Sequence, residues 1–131
     1  TDLIKVGLVR KVIARGISIG ENGVTGKARI INKEVDVSLI TPGEILIVKK
    51  DLLKALPFSK EITGIITDES EEECLNLFKK LKSQISSICN LDNLNKNIQE
   101  GDLITLQLNE GVVYKGQIEE SDETIDKDKY G

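Results

Sequence analysis

The chain contains no histidine, no methionine and no tryptophan, and its whole aromatic inventory is Phe58, Phe78, Tyr114 and Tyr130. Without histidine there is no imidazole to act as nucleophile or to complete a zinc set. The two cysteines, Cys74 and Cys89, form no Cys-x-x-Cys pair, so a metal held through sulfur is not expected. Both are expected to be buried thiols behaving as small hydrophobes in a cytosolic protein. With 39% hydrophobic residues but only 3% aromatic, the core must be built from Ile, Leu and Val. No apolar run approaches the ~20 residues of a spanning helix, and no charged-then-apolar leader opens the chain. Membrane binding is therefore unsupported, and the expected compartment is the cytoplasm. Positive charge is also lacking. Residues 117–131 hold six acids against Lys127 and Lys129, which accounts for the full net charge of −4 and leaves a neutral body. Neutral charge and few stacking aromatics argue against a nucleic-acid partner. The absence of methionine from a chain opening at Thr1 suggests a piece excised from a longer polypeptide.

At 131 residues the chain suits one domain, able to bury about two thirds of its unfolded surface. Its most informative stretch runs from Gly64 to Leu81. Gly64-Ile65-Ile66-Thr67 has the β-branched character of a buried strand, and five carboxylates follow at Asp68, Glu69, Glu71, Glu72 and Glu73. Acids suit a helix N-terminus, where unpaired N–H groups and the positive dipole end favour anions, and Lys79, Lys80 and Lys82 suit its last turn. Ser70 with Glu73 fits a capping box. Cys74, Leu77, Phe78, Leu81 and Ile85 recur at three- and four-residue spacing, which predicts one apolar helix face to lay on a sheet.

Strand, acidic turn and helix resemble the phosphohistidine, or swivelling, domain of phosphoenolpyruvate-utilising enzymes. That family reads roughly G-I-I-T-E-E-G-G-L-T-S-H-A-A, with the histidine at the helix head as phosphate carrier. Laid on without gaps, Gly64 to Thr67 match, and Asp68 and Glu69 match in charge. The family's Thr-Ser-His falls on Glu73, Cys74 and Leu75, so leucine stands at the carrier position. The two glycines that leave room for phosphate fall on Ser70 and Glu71. The resemblance thus implies a degenerate phosphocarrier site at Thr67, Ser70, Glu71, Glu73, Cys74 and Leu75, with no catalytic residue and no cofactor in this chain.

Elsewhere, residues 1–15 read as an extended, basic-spotted segment whose N-terminal part could form a strand. Thr-Asp-Leu-Ile-Lys-Val resembles the last strand of a bacterial pyruvate kinase C-terminal domain, and such a strand, taken alone, is expected to re-pair, swap or fray. Gly16, Gly20, Gly23 and Gly26 follow neither a dinucleotide nor a P-loop spacing and are expected to be turn residues at positive φ. The stretch also resembles the family's opening G-x-G-I-G-x-x-S-x-x-G-K-A, matching it through Gly16, Ile19, Gly20, Gly26, Lys27 and Ala28. Val35 to Leu39 is turn-like, Pro42-Gly43 precedes the apolar strand Glu44 to Lys49, and Asp51 is expected to cap a short helix over Leu52 to Leu56. Ile85 to Cys89 reads as a strand and Leu91 to Ile98 as a weak helix. A hairpin is expected across Asn109-Glu110-Gly111, and its Gly-Asp and Val-Tyr-x-Gly runs resemble the family's ending, except that Gln107 and Leu108 replace an Asp-Gly. The tail after Gly116 lacks apolar content and is expected to be disordered.

The resulting expectation is an α/β, three-layer β/β/α swivelling domain over residues 16–116, preceded by a kinase-like lead-in over 1–15 and followed by an acidic tail over 117–131. Function follows from the resemblance: a non-catalytic accessory domain of a pyruvate kinase, acting in packing, homo-oligomer contacts or regulation. Transfer of phosphate from phosphoenolpyruvate to ADP with Mg²⁺ and K⁺ would fall to upstream kinase domains. Three alternatives remain: a carrier using the Cys74 thiol, a divalent-cation site in the acidic cluster, and a free-standing scaffold pairing through its N-terminal strand. Five neighbouring carboxylates disfavour the thiolate, and the cluster lacks the EF-hand ligand order.

Overall fold

The computed structural model describes residues 11–59, 61–94 and 96–116. Eight strands are present: β1 (Lys11–Arg15), β2 (Ile17–Ile19), β3 (Val24–Ile31), β4 (Ile45–Val48), β5 (Gly64–Thr67), β6 (Ser87–Cys89), β7 (Leu103–Gln107) and β8 (Val112–Lys115). Helix α1 spans Lys50–Leu53, helix α2 spans Glu71–Leu81, and a 3₁₀ helix spans Glu34–Leu39. The strands pair in the order β1-β8-β7-β3-β4-β5-β6-β2. Strands β3 to β6 run parallel, and the remaining pairings are antiparallel.

Parallel strands need crossovers that cover both faces of the sheet, so their sequences are apolar throughout instead of alternating. Every residue of β4, Ile45-Leu46-Ile47-Val48, and of β5 is buried. Alternate side chains then divide between two cores. Ile45, Ile47, Ile66 and Ile88 join Ile13, Ile104, Leu106 and Val113 of the antiparallel strands. Leu46, Val48, Ile65 and Cys89 face the helices and meet Leu53, Cys74 and Phe78. The antiparallel sheet, the parallel sheet and the helices are thus the three layers of a β/β/α domain, the arrangement expected from the resemblance.

Strand β3 serves both sheets. Val24 to Lys27 pair with β7, whereas Ala28 to Ile31 pair with β4. At the changeover Ala28 donates its N–H to Asp102 O (2.8 Å) and accepts from Gly101 N (2.9 Å) at its carbonyl. Arg29 fixes the same point: its Nε and terminal nitrogen bind both carboxylate oxygens of Glu44 (3.1 and 2.8 Å), and a second terminal nitrogen reaches Glu100 (2.6 Å). A second changeover joins β1 to β2, consecutive in the chain except for Gly16 yet at opposite ends of the strand order.

Glycine roles depart from expectation at these changeovers. Gly20 does take positive φ (115°), but Gly16, Gly23 and Gly26 do not. A Cβ at Gly26 would fall against the Gly43 carbonyl oxygen, and one at Gly16 would lie 2.5 Å from Cys89 O. Close approach of one backbone to another, not turn geometry, excludes a side chain at both.

Three local expectations need correction. Helix α1 begins at Lys50, so Asp51 lies inside its first turn, and the exposed N–H of Lys50 is taken by the Asp68 carboxylate from the end of β5 (2.7 Å). Residues 91–94 and 96–98 form a turn and bends instead of a helix, because Asn90 (φ 62°) and Asn93 (φ 51°) adopt left-handed backbone. Leu91, Leu94 and Ile98 nevertheless enter the core between the sheets. The turn-like Val35 to Leu39 is ordered as the 3₁₀ helix. The hairpin lies as expected, with Gln107 opposite Val112 and Gly111 at φ 70°. The strand expected in the first part of 1–15 and the tail of 117–131 lie outside the described residues, while Lys11–Arg15 pairs with β8.

Two outcomes follow from the β3 changeover. Gly26→Ala should lower unfolding free energy by about 1–3 kcal/mol, since backbone and not a flexible side chain blocks the methyl group; an unchanged urea midpoint would refute the close approach. Burial opposes ionisation of Glu44, but hydrogen bonds from Arg29 and the Thr41 N–H prevail and hold its carboxyl below the usual glutamate value. A depressed pKa contributes stability above the unfolded-state value that is lost as pH falls through the folded-state one. Urea midpoints should therefore decline on the acid side, and less steeply in Glu44→Gln; superimposable acid limbs would contradict this.

Candidate functional site

Strand β5 delivers the chain directly into α2 through Asp68, Glu69 and Ser70. Ser70 is the N-cap in extended backbone (φ −70°, ψ 156°), and its Oγ accepts from the Glu73 N–H at 3.2 Å. The expected capping box is only half made by Ser70 and Glu73. Its return arm comes from Glu69, whose Oε1 accepts from the Ser70 N–H at 2.9 Å. Glu69 N in turn donates to Thr67 Oγ1 (3.1 Å), and the carbonyls of Thr67 and Glu69 accept from Leu91 N and Asn90 N. The turn is tied on both sides. At the other end Lys82 takes left-handed backbone (φ 56°) and Ser83 N closes on Phe78 O.

The six site residues share this short segment but not one environment. Thr67 is fully buried beneath the turn. Ser70 caps, Glu71 opens the helix half-buried, and Glu73 is exposed. Cys74 faces the core, whereas Leu75, where the resemblance puts a carrier histidine, is 42% exposed. On the inner face Cys74 and Phe78 are buried, Leu77 and Ile85 pack at the margin, and Leu81 is largely outside.

Cys74 and Cys89 are both free and fully buried, and their thiols are hydrogen-bonded to each other. That bond, burial, and the Glu71 and Glu69 carboxylates together push Cys89 far above the usual thiol range. The same bond draws Cys74 downward, against burial and the opposing charges of Glu69, Glu71 and Glu73. The pairing was not visible in the sequence. A signal did exist: in β6, alternation sends Ile88 to one core and Cys89 to the other, the one that α2 covers. Glu69 as second capping group was likewise missed, because its side chain turns back on its immediate neighbour. Among the described residues, no three side chains of metal-ligating type converge, and no helix is long and apolar enough to cross a membrane.

Chemically, the helix head offers capped N–H groups, a cluster of carboxylates and a leucine where a carrier would need a nucleophile. Comparison with known proteins bears on its origin. No family model matches the chain. "Pyruvate kinase 2" of Synechocystis sp. is 29% identical over 118 residues, covering 90% of this chain and 20% of the relative. A "Probable phosphoenolpyruvate synthase" of Archaeoglobus fulgidus is 24% identical over 113 residues, covering 86% and 15%. The chain therefore spans a fifth or less of the length of these relatives, and is similar to a segment found in both pyruvate kinases and phosphoenolpyruvate synthases. Among solved structures, aconitase X of Thermococcus kodakaraensis has a TM-score of 0.51 at 14% identity, covering 79% of this chain and 98% of that one. This last likeness is one of fold.

Burial of both thiols sets a measurable expectation. Native chain treated with iodoacetamide at mildly alkaline pH should stay unmodified, while the same chain in denaturant should gain two adducts by intact mass. Rapid native alkylation at Cys74 would show an accessible thiolate and revive a sulfur-based carrier.

Proposed function

We propose that this chain is a non-catalytic accessory domain of a pyruvate kinase, joined to the kinase domains in one cytoplasmic polypeptide and serving packing, oligomer contacts or regulation. The observation that carries this reading is the state of the α2 head. A phosphate carrier needs a nucleophilic side chain beside an electropositive seat, which a helix N-terminus supplies only when its first-turn N–H groups face the anion. Here the Ser70 hydroxyl takes the Glu73 N–H, the Glu69 carboxylate turns back onto the Ser70 N–H, Glu71 and Glu73 add like charge, and Leu75 carries no nucleophile. The sequence likeness to pyruvate kinases supports the parent assignment. Phosphoryl transfer from phosphoenolpyruvate to ADP, with its Mg²⁺ and K⁺, would then be the work of the rest of the polypeptide.

Leu75→His alone should not accept phosphate from phosphoenolpyruvate and the purified carrier enzymes that use it, because the acidic helix start remains. Acid-labile phosphate on that variant would overturn it. The accessory role is tested in the full-length parent polypeptide: removing the domain should leave turnover nearly intact while altering thermal midpoint, assembly state or effector response. A large fall in kcat with assembly and both KM values unchanged would place the domain in the chemistry instead.

A further inference from the structure

The carboxyl ends of β4, β5 and β6 lie on the same side of the parallel sheet, the side on which open α/β folds bind their ligands. Val48 and Thr67 are register partners, so Lys49 and Asp68, which follow them, leave the sheet side by side. The segment after β6 returns over this edge and brings Asn93, Leu94 and Lys96. These five residues line a cleft of about 540 Å³, within the range of small-molecule sites. Buried Leu94 forms an apolar wall. The polar lining is two ammonium groups, one carboxamide and one carboxylate.

The charges are unevenly committed. Asp68 accepts from the Lys50 N–H at 2.7 Å, so part of its negative charge is held by the first turn of α1. The ion pairs of the described residues join Arg29 to Glu44 and Glu100, and Lys115 to Asp102; neither Lys49 nor Lys96 takes part. Asn93, in left-handed backbone, closes a tight turn through its carbonyl to the Lys96 N–H (3.1 Å), which brings the backbone of the two residues together. Lys49 and Lys96 are both exposed where they line the cleft, and lysine ammoniums serve phosphates as point charges.

We propose that this cleft binds a small dianion, a phosphate monoester or a dicarboxylate, through the ammonium groups of Lys49 and Lys96, with the Asn93 carboxamide donating a further hydrogen bond. The cleft shares Asp68 with the acidic approach to α2, but none of Glu69, Glu71, Glu72 and Glu73 lines it. The proposal rests on the cleft alone and not on the parent assignment; if that assignment holds, the cleft is where an anionic effector would act. The two ideas can therefore fail independently.

The test is a titration of the isotopically labelled 131-residue chain, followed by amide resonances at low, chloride-matched ionic strength. The probes are inorganic phosphate, methyl phosphate and succinate. Saturable shifts centred on Lys49, Asn93, Leu94 and Lys96 are expected. They should weaken by about tenfold or more in affinity in the Lys49→Gln/Lys96→Gln double variant, the loss expected for a charge-assisted hydrogen bond. Asp68→Asn, which keeps an acceptor for Lys50 N–H but removes the like charge, should tighten binding. Response to the two phosphates alone would assign the ligand as a phosphoryl compound; equal response to succinate would assign it as any dianion of this size. No saturable shift with any probe, shifts centred elsewhere, or shifts unchanged in the double variant would overturn the proposal.

Discussion

The structure depends on two places where one strand leaves one sheet and enters the other. Strand β3 does so at Ala28, and the continuous run of β1 and β2 does so at Gly16. Because the ends of the strand order are consecutive in the chain, the eight strands return on themselves around a single apolar interior. Such a crossing forces backbone against backbone at less than side-chain distance, which is why each has a glycine. It also breaks ladder pairing locally. The paired bonds of Ala28 with Gly101 and Asp102, and the Ile30 N–H donated to the Glu100 carboxylate, supply the missing polar partners at β3.

Everything at the α2 head follows from that framework. Parallel strands deliver β5 to the sheet edge, and the helix begins within three residues of it. In this chain the Ser70 hydroxyl takes the Glu73 N–H of the first turn, and the Glu69 carboxylate stands beside it on the Ser70 N–H. The same acids that stabilise the helix against its dipole make its N-terminus a poor place for phosphate. Helix stability and anion affinity draw on the same N–H groups, and here the helix has them.

Much of this was legible in the sequence. Apolar runs at Ile45–Val48 and Gly64–Thr67 marked strands, the acid-to-lysine gradient marked α2, and the Asn109-Glu110-Gly111 turn marked the hairpin. The resemblance supplied the layer arrangement, which periodicity alone does not contain. What stayed hidden depended on contacts between distant segments. The apolar spacing of Leu91, Leu94 and Ile98 imitates a helix, yet left-handed Asn90 and Asn93 bend the chain so that the same three residues reach the core. Asp51 offered a plausible local cap until Asp68, far along the chain, proved to occupy that place. Gly16 and Gly26 read as turns because a sequence shows flexibility but not what lies opposite. The cleft of Lys49 and Lys96 joins the residue after β4 to the bent segment that follows β6, a proximity no local pattern records.

The pairing of Lys11 with Lys115 ties the first described strand to the last. During synthesis β1 would emerge long before β8 exists, so its pairing edge must wait, unsatisfied, until the terminal hairpin leaves the ribosome. The two ends are thereby one thermodynamic unit. Strain applied to β1 is therefore shared between β8, through the strand pairing, and β2, through the chain itself across Gly16.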